Sequence, residues 1–445
     1  MKSKTTQSTP PSQVPDPVRD SEDLLAALSA SFSPDVVNHL RKMTGYNPRQ
    51  RCATAIRLIY VIVEAFLLGK PLCFASLHAL FIARFENIAP CPFRRKFTVA
   101  AAPRFFLALL TYFVKTTIET ANQKLNKRLQ FFKDVLVFDA TSQRVAPRGR
   151  TKLPACAKDK AGAKLLVSYS LKDGMVVDAL ADAQKTSDIK LWRRMGGQLR
   201  TGVLYLFDLA YFEKAMFLEA LARGAHVLMR FKTNTKLNVV AHHTYGKCTY
   251  CEPLPVNQFL GWLSHKPSTV FDADVIWGSG KNAILLRLVG YTGAEKKIYA
   301  YLTTIPRDVH TPYDIIGCYR LRWLIELLFR ELKQTADIGR SCTTDPNALM
   351  ALTYGALVGH ALVRSMRIVA ATKSQIPLEQ LRPIASLRIV AACAHGLIEA
   401  LVTQNFPLLK QVAEKICGLI SYFALEKAAS SSRERVAFDL GATGA

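Results

Sequence analysis

Three carboxylates in this sequence carry the types and spacing that chemistry needs. Asp139 closes the apolar run VLVFD and Asp208 closes a second, GVLYLFD, so each is expected at a strand end, where open α/β sheets place their sites. Two such strands lying side by side would let both carboxylates share a hard divalent cation such as Mg²⁺. Either aspartate alone reads equally well as a turn former or helix cap. Glu326 lies in the segment CYRLRWLIELLFRELKQ. Wound as one helix at about 100° per residue, that segment puts Tyr319, Arg322, Glu326, Arg330 and Lys333 on a narrow polar stripe opposite a broad apolar side. In such a stripe Glu326 would complete the metal ligands, Arg322, Arg330 and Lys333 would clamp phosphates, and Tyr319 would donate a hydrogen bond to one. A solvated polar face is the bland alternative.

The elements that must position these residues can be read from hydrophobic periodicity. Strands are expected at 135–139, 164–171 and 175–181, then a helix at 188–200, a strand at 202–208, a helix at 211–223 and a strand at 226–232. This is the order of an α/β mixed sheet with covering helices, and it matches the ribonuclease H-like fold. A β-rich insertion is expected at about 233–304, followed by one helix over 313–334. Residues 21–130 read as a basic helical, DNA-binding domain with 15 basic against 6 acidic residues. Its clusters Arg94, Arg95, Lys96 and Lys124, Lys127, Arg128 could each sit on phosphates. The division is therefore a disordered tail over 1–20, this helical domain, a catalytic domain over 131–340, and a helical C-terminal region over 341–445 with breaks at Gly355, Pro377 and Pro383.

Across the 445 residues, 59 Lys and Arg against 34 Asp and Glu leave a net charge of +25, which favours a polyanionic partner and places nucleic acid first. Ten cysteines are too sparse for a secreted disulfide framework, and the first residues lack an apolar leader, so a reducing cytoplasm is expected. The apolar stretch at 53–69 carries Arg57 and Glu64, and that at 348–363 contains His360 and falls short of the roughly 20 residues needed to span a bilayer. Buried helices and no membrane contact follow. His242, His243, Cys248 and Cys251 have a spacing zinc could use, without a second ligand pair elsewhere.

The spacing Tyr319-x2-Arg322-x3-Glu326-x6-Lys333 resembles the YREK signature of insertion-sequence transposases of the insertion-sequence-four family. VLVFDATSQ and LYLFDLAYF resemble that family's two other catalytic blocks, each centred on an aspartate, and the order Asp, Asp, β-rich insertion, Glu is the same. The resemblance covers residues 131–340. It implies a DDE transposase in which Asp139, Asp208 and Glu326 bind two Mg²⁺ ions, with Mn²⁺ as a substitute, to cut and rejoin phosphodiesters. The implied partners are double-stranded DNA, as terminal repeats and as target, and a second copy in a homodimeric synaptic complex, in a bacterial cytoplasm at the nucleoid. Relatives place a tryptophan ahead of the glutamate helix to stack on a flipped base; KKIYAYLTTIP offers Tyr299 and Tyr301 instead. The N-terminal domain would read the terminal repeats, and IVAACAHGLIEALV would either pair two copies or be a core helix. The alternatives are a related nuclease that cuts without joining and a degenerate transposase that only binds DNA.

Overall fold

The computed structural model describes residues 17–47, 52–121, 129–244, 247–266, 268–293, 297–336 and 343–425. The cluster Lys124, Lys127, Arg128 lies outside these. Among the described residues six helices come first: α1 (Pro17–Ser31), α2 (Pro34–Thr44), α3 (Ala55–Leu67), α4 (Phe74–Arg84), α5 (Pro90–Thr98) and α6 (Ala101–Ala121). Their ends are written locally. The Ser33 hydroxyl accepts the Val36 N–H with Pro34 at the first helical position, and Gly45 closes α2 in the left-handed region at φ 70°.

A mixed sheet follows. Its strands and covering helices are β1 (Asp134–Val145), β2 (Ala161–Ser170), β3 (Met175–Ala183), α7 (Asp188–Arg194), β4 (Val203–Phe207), α8 (Lys214–Arg223), β5 (His226–Arg230), β6 (Asn238–Thr244), β7 (Lys247–Pro255), α9 (Val256–Leu263), β8 (Val270–Trp277), β9 (Ile284–Thr292) and β10 (Ile298–Thr303). The strand order is β3-β2-β1-β4-β5-β10-β9-β8-β6-β7. β1, β2 and β3 pair antiparallel, while β4 runs parallel to β1 and β5 parallel to β4. That 3-2-1-4-5 arrangement is the ribonuclease H-like fold. β10 pairs antiparallel with β5, so the inserted strands extend the same sheet. The chain ends in α10 (Pro312–Arg320), α11 (Trp323–Ala336), α12 (Pro346–Ser374), α13 (Pro383–Ala392), α14 (Ala394–Val402) and α15 (Phe406–Phe423).

Several expected elements are corrected. The 188–200 helix stops at Arg194, because Gly196 turns left-handed at φ 77° and Gly197 lies against the Trp192 ring. The 211–223 helix begins only at Lys214, after a short 3₁₀ turn at Leu209–Tyr211. The helix expected over 313–334 is two helices, α10 and α11, separated at Leu321 and Arg322. Gly355 breaks nothing: α12 runs for 29 residues.

Strand alternation sends side chains to two cores. Val135, Val137, Leu165 and Val167 join α3, α6 and α12 in one, which also holds helices from both chain ends. Leu136, Phe138, Tyr205 and Phe207 join α7 and α8 in the other. Within IVAACAHGLIEALV, Val390, Ala394, Leu397, Ile398, Ala400 and Leu401 are buried in the first core, while Ala392, His395 and Glu399 are exposed. α12 is long and apolar enough to cross a membrane, but 78% of its most apolar 18-residue stretch is buried inside the protein. The charge in the other apolar helix is compensated: Glu64, 1% exposed, accepts from Arg84 at 2.6 Å.

Gly355 and Gly359 let α12 come close to α3. A Cβ on Gly359 would lie 2.6 Å from the Phe66 ring, and one on Gly355 2.6 Å from Ile62. Gly359→Val is expected to overpack this contact and lower stability by about 1–3 kcal/mol, read as a drop in thermal midpoint.

Candidate active site

β1 and β4 are neighbours in parallel register, with Val137 opposite Leu206. Two residues on, Asp139 and Asp208 therefore stand beside each other. Asp208 follows β4 directly, as the cap of the 3₁₀ turn. Asp139 does not close its strand; β1 continues six residues to Val145, with Thr141 and Gln143 buried.

The third carboxylate is tied to the first by an arginine. Arg322 Nη1 donates to Asp139 Oδ2 at 3.4 Å, and Nη2 donates to Glu326 Oε1 at 2.5 Å. The break between α10 and α11 makes this possible. There the Arg322 N–H donates to the Tyr319 carbonyl and the Ile325 N–H to the Arg322 carbonyl, each three residues back, a local 3₁₀ tightening that aims the guanidinium at β1. The stripe expected from a single helix thus holds only within α11, where Glu326 lies in the first turn and Arg330 and Lys333 follow, both exposed.

The segment leading into α10 is fixed by a buried ion cluster. Asp272 accepts from Arg287 at 2.8 Å and from Arg307 at 2.9 Å, and Arg307 also reaches Asp274 at 2.8 Å. Against the penalty of burial, the two arginines hold Asp272 below the usual carboxylate range. Arg287 Nη1 also donates to the His310 carbonyl at 2.8 Å, just ahead of the Thr311–Asp314 capping box that starts α10.

Electrostatics in the site follow from crowding. Burial pushes the Asp139 carboxyl up to about 6; the Ala140 N–H and Arg322 work against the rise, and Asp208 and Glu326 add to it. Burial works against the Arg322 charge, yet Tyr319, Glu326 and Asp208 hold it above its ordinary range.

Residues 130–361 match the family described as Transposase DDE domain. The chain belongs to the DDE transposase family. Family members cleave and join DNA and use divalent metal ions. The transposase is 23% identical over 338 residues to the transposase for insertion sequence element IS231F of Bacillus thuringiensis subsp. israelensis, covering 65% of this chain and 70% of that protein. It is 20% identical over 415 residues to the transposase for IS231B of Bacillus thuringiensis subsp. berliner, covering 83% and 84%. The insertion-sequence-four resemblance is consistent with these names. Among solved structures, the piggyBac transposase synaptic complex with hairpin DNA aligns with a TM-score of 0.45 and 12% identity, covering 92% of this chain and 87% of that one.

The donor set suits a hard cation. Asp208 and Glu326 both bear electrostatically on Asp139, and the Asp208 carboxylate makes no cap bond to the turn it starts, whose Tyr211 N–H donates to the Asp208 carbonyl at 3.1 Å instead. The present placement of the carboxylates is not a closed cage: among the described residues no three His, Cys, Asp or Glu side chains are grouped to hold an ion, and the Arg322 guanidinium bridges Asp139 and Glu326.

Other residues of the transposase fall in different places. Tyr301 is 6% exposed, its ring 4.7 Å from that of Tyr319, so it supports Tyr319 instead of presenting a face to a base. Tyr299 is partly exposed and stacked on Tyr291 at 4.9 Å. Asp182 and Asp188, two further carboxylates of the sheet domain, are engaged by Arg194 and Lys164. His243 is bonded to Asp274 at 2.9 Å, and the side chains of Cys248 and Cys251 lie outside the described residues. Trp323, next to Arg322, is 50% exposed. Sequence reasoning missed Tyr211, fully buried after Asp208, with a hydroxyl that meets no hydrogen-bond partner among the described residues. Its place in FDLAYF three residues past the aspartate was the available signal.

The crowding has a measurable consequence. Selective carboxyl-carbon NMR should find Asp139 titrating near 6; Asp208→Asn should lower that value by removing a like charge, and Arg322→Met should raise it by removing a cation.

Proposed function

We propose that this transposase cuts and joins double-stranded DNA at the ends of an insertion sequence. The observation that carries the reading is the placement of Asp139 beside Asp208 on parallel β1 and β4, with Glu326 brought to them by Arg322. Asp139, Asp208 and Glu326 would hold two Mg²⁺ ions, with Mn²⁺ able to substitute. When bound, such ions supply Lewis acidity at the attacked phosphodiester.

The chain's own groups do the rest. Arg322, released from its carboxylates, offers a planar fork to a phosphate, and Tyr319, held at the end of α10 by Tyr301, offers its hydroxyl. Arg330 and Lys333 stand exposed along α11 to receive the backbone of the same strand. Tyr299, on β10, keeps some exposure for a base. The helical segment over 21–130, with Arg94 and Arg95 exposed on α5, would bind the terminal repeats. Two copies, each holding one end, would form the synaptic complex, at the nucleoid in the cytoplasm.

Duplexes carrying the DNA that flanks the gene, incubated with Mg²⁺, test this directly. Wild type should yield nicks and joined products, whereas Glu326→Gln should lose at least about a thousandfold in cleavage while its DNA affinity stays within about tenfold. Cleavage by that variant at the wild-type rate would remove Glu326 from the site, and nicks without joined products would make the protein a nuclease. Lys333→Ala is expected to weaken binding and reduce its salt dependence by about one unit of slope.

A further inference from the structure

The connection between β1 and β2, residues 146–160, holds five cations, Arg148, Arg150, Lys152, Lys158 and Lys160, against the single carboxylate of Asp159. All five are exposed. Elsewhere on this surface cations meet carboxylates, as Arg57 does Glu86 and Lys410 does Glu22. In the connection none of the five forms an ion pair with a described residue.

The connection is also anchored. Leu153 is 3% exposed and its N–H donates to the Gly149 carbonyl at 2.9 Å; its own carbonyl accepts from Gly162, and the Pro154 carbonyl from Lys185. Gly149 packs so closely that a Cβ there would lie 3.1 Å from Thr344. Like charges are thus held together on a fixed backbone, an arrangement that an anionic partner relieves. Beyond Thr344, Asn347 donates to the Thr98 carbonyl at the end of α5, which carries exposed Arg94 and Arg95. The two basic clusters therefore flank the start of α12.

The type of polyanion follows from what the connection lacks. It presents no aromatic side chain on which unpaired bases could stack and no large exposed apolar side chain to enter a bilayer, so its contacts are with a phosphate backbone alone. Six residues of strand from Asp139 to Val145 span roughly 20 Å at about 3.3 Å each, or about six base pairs of duplex.

We propose that the β1–β2 connection is a sequence-independent platform for the backbone of double-stranded DNA, about six base pairs from the phosphodiester held at Asp139, Asp208 and Glu326. Its position relative to the cut rests on the proposed function; its affinity for duplex does not.

The test uses the full chain carrying Arg148→Gln, Arg150→Gln and Lys152→Gln together, and a random-sequence duplex of about 40 base pairs without Mg²⁺, followed by fluorescence anisotropy over a KCl series. The slope of log affinity against log salt should fall by about two to three units, while Lys281→Gln with Arg388→Gln, exposed cations elsewhere, leaves it unchanged and all variants keep the wild-type melting temperature. An unchanged slope in the triple variant, or an equal fall in the control, overturns the platform. So does a loss confined to single-stranded RNA or to phosphatidylserine vesicles. Cleavage reports separately: a lower slope in the triple variant with no Glu326-dependent cleavage by wild type defeats the cut-and-join reading and leaves the platform standing, and the converse result does the reverse.

Discussion

One buried helix, α12, sets the positions of everything else. It can lie against α3 because Gly355 and Gly359 remove the side chains that would meet Ile62 and Phe66. From that position it shares a core with α6 and with helices from both ends of the chain. It also reaches the sheet: the Tyr354 hydroxyl accepts the Ala181 N–H at the β3 edge, which would otherwise be open to pairing, and Thr353 accepts from Gln143 on β1. β1 carries Asp139. The helix at the centre of the helical body is thus one hydrogen bond from the strand that presents the first carboxylate.

The third carboxylate is positioned from the other direction. Its helix follows α10, whose start is fixed by the Asp272, Arg287 and Arg307 cluster rooted in β8 and β9. A buried ion cluster adds little net stability, since desolvation of the charges offsets most of their attraction, but it leaves few alternative placements for the atoms it binds. Here it binds the carbonyls of Pro306 and His310, so the inserted strands act as a brace for the segment that delivers Tyr319, Arg322 and Glu326.

Much of this was legible in the sequence, and what was not had physical reasons. The α/β class and the sequence order of the strands come from short continuous apolar runs that the sheet buries on both faces, whereas the adjacency of the two aspartates depends on the pairing of β1 with β4. Asp139 seemed to end its strand because ATSQRV is polar; Thr141 and Gln143 are buried all the same, on the side facing α12. The break at Leu321 and Arg322 has neither proline nor glycine to announce it, so a uniform helical phase was the natural reading. Gly355 looked like a breaker because sequence cannot distinguish a helix end from a helix contact, and that difference resides in Ile62, nearly three hundred residues away. Tyr301, a stacking candidate in the sequence, is buried for the same reason: its burial depends on where α10 docks, which no local pattern encodes.

The break also gives Arg322 its distinctive place. Two opposite charges about 4 Å apart near a protein surface attract by about 4 kcal/mol, and like charges repel as strongly, so a cation between Asp139 and Glu326 relieves their repulsion. Arg322 is that cation, bridging the two. A planar guanidinium directed to Asp139 and Glu326 has few donors left for a phosphate, so the same side chain cannot serve both partners fully. Under the proposed function, Asp139, Asp208 and Glu326 would hold the cations, and Arg322 would then be free to turn from Asp139 and Glu326 to a phosphate of the DNA. On that reading cation binding and DNA binding would be linked through a single residue, each favouring the other, because the α10–α11 break directs Arg322 to both carboxylates.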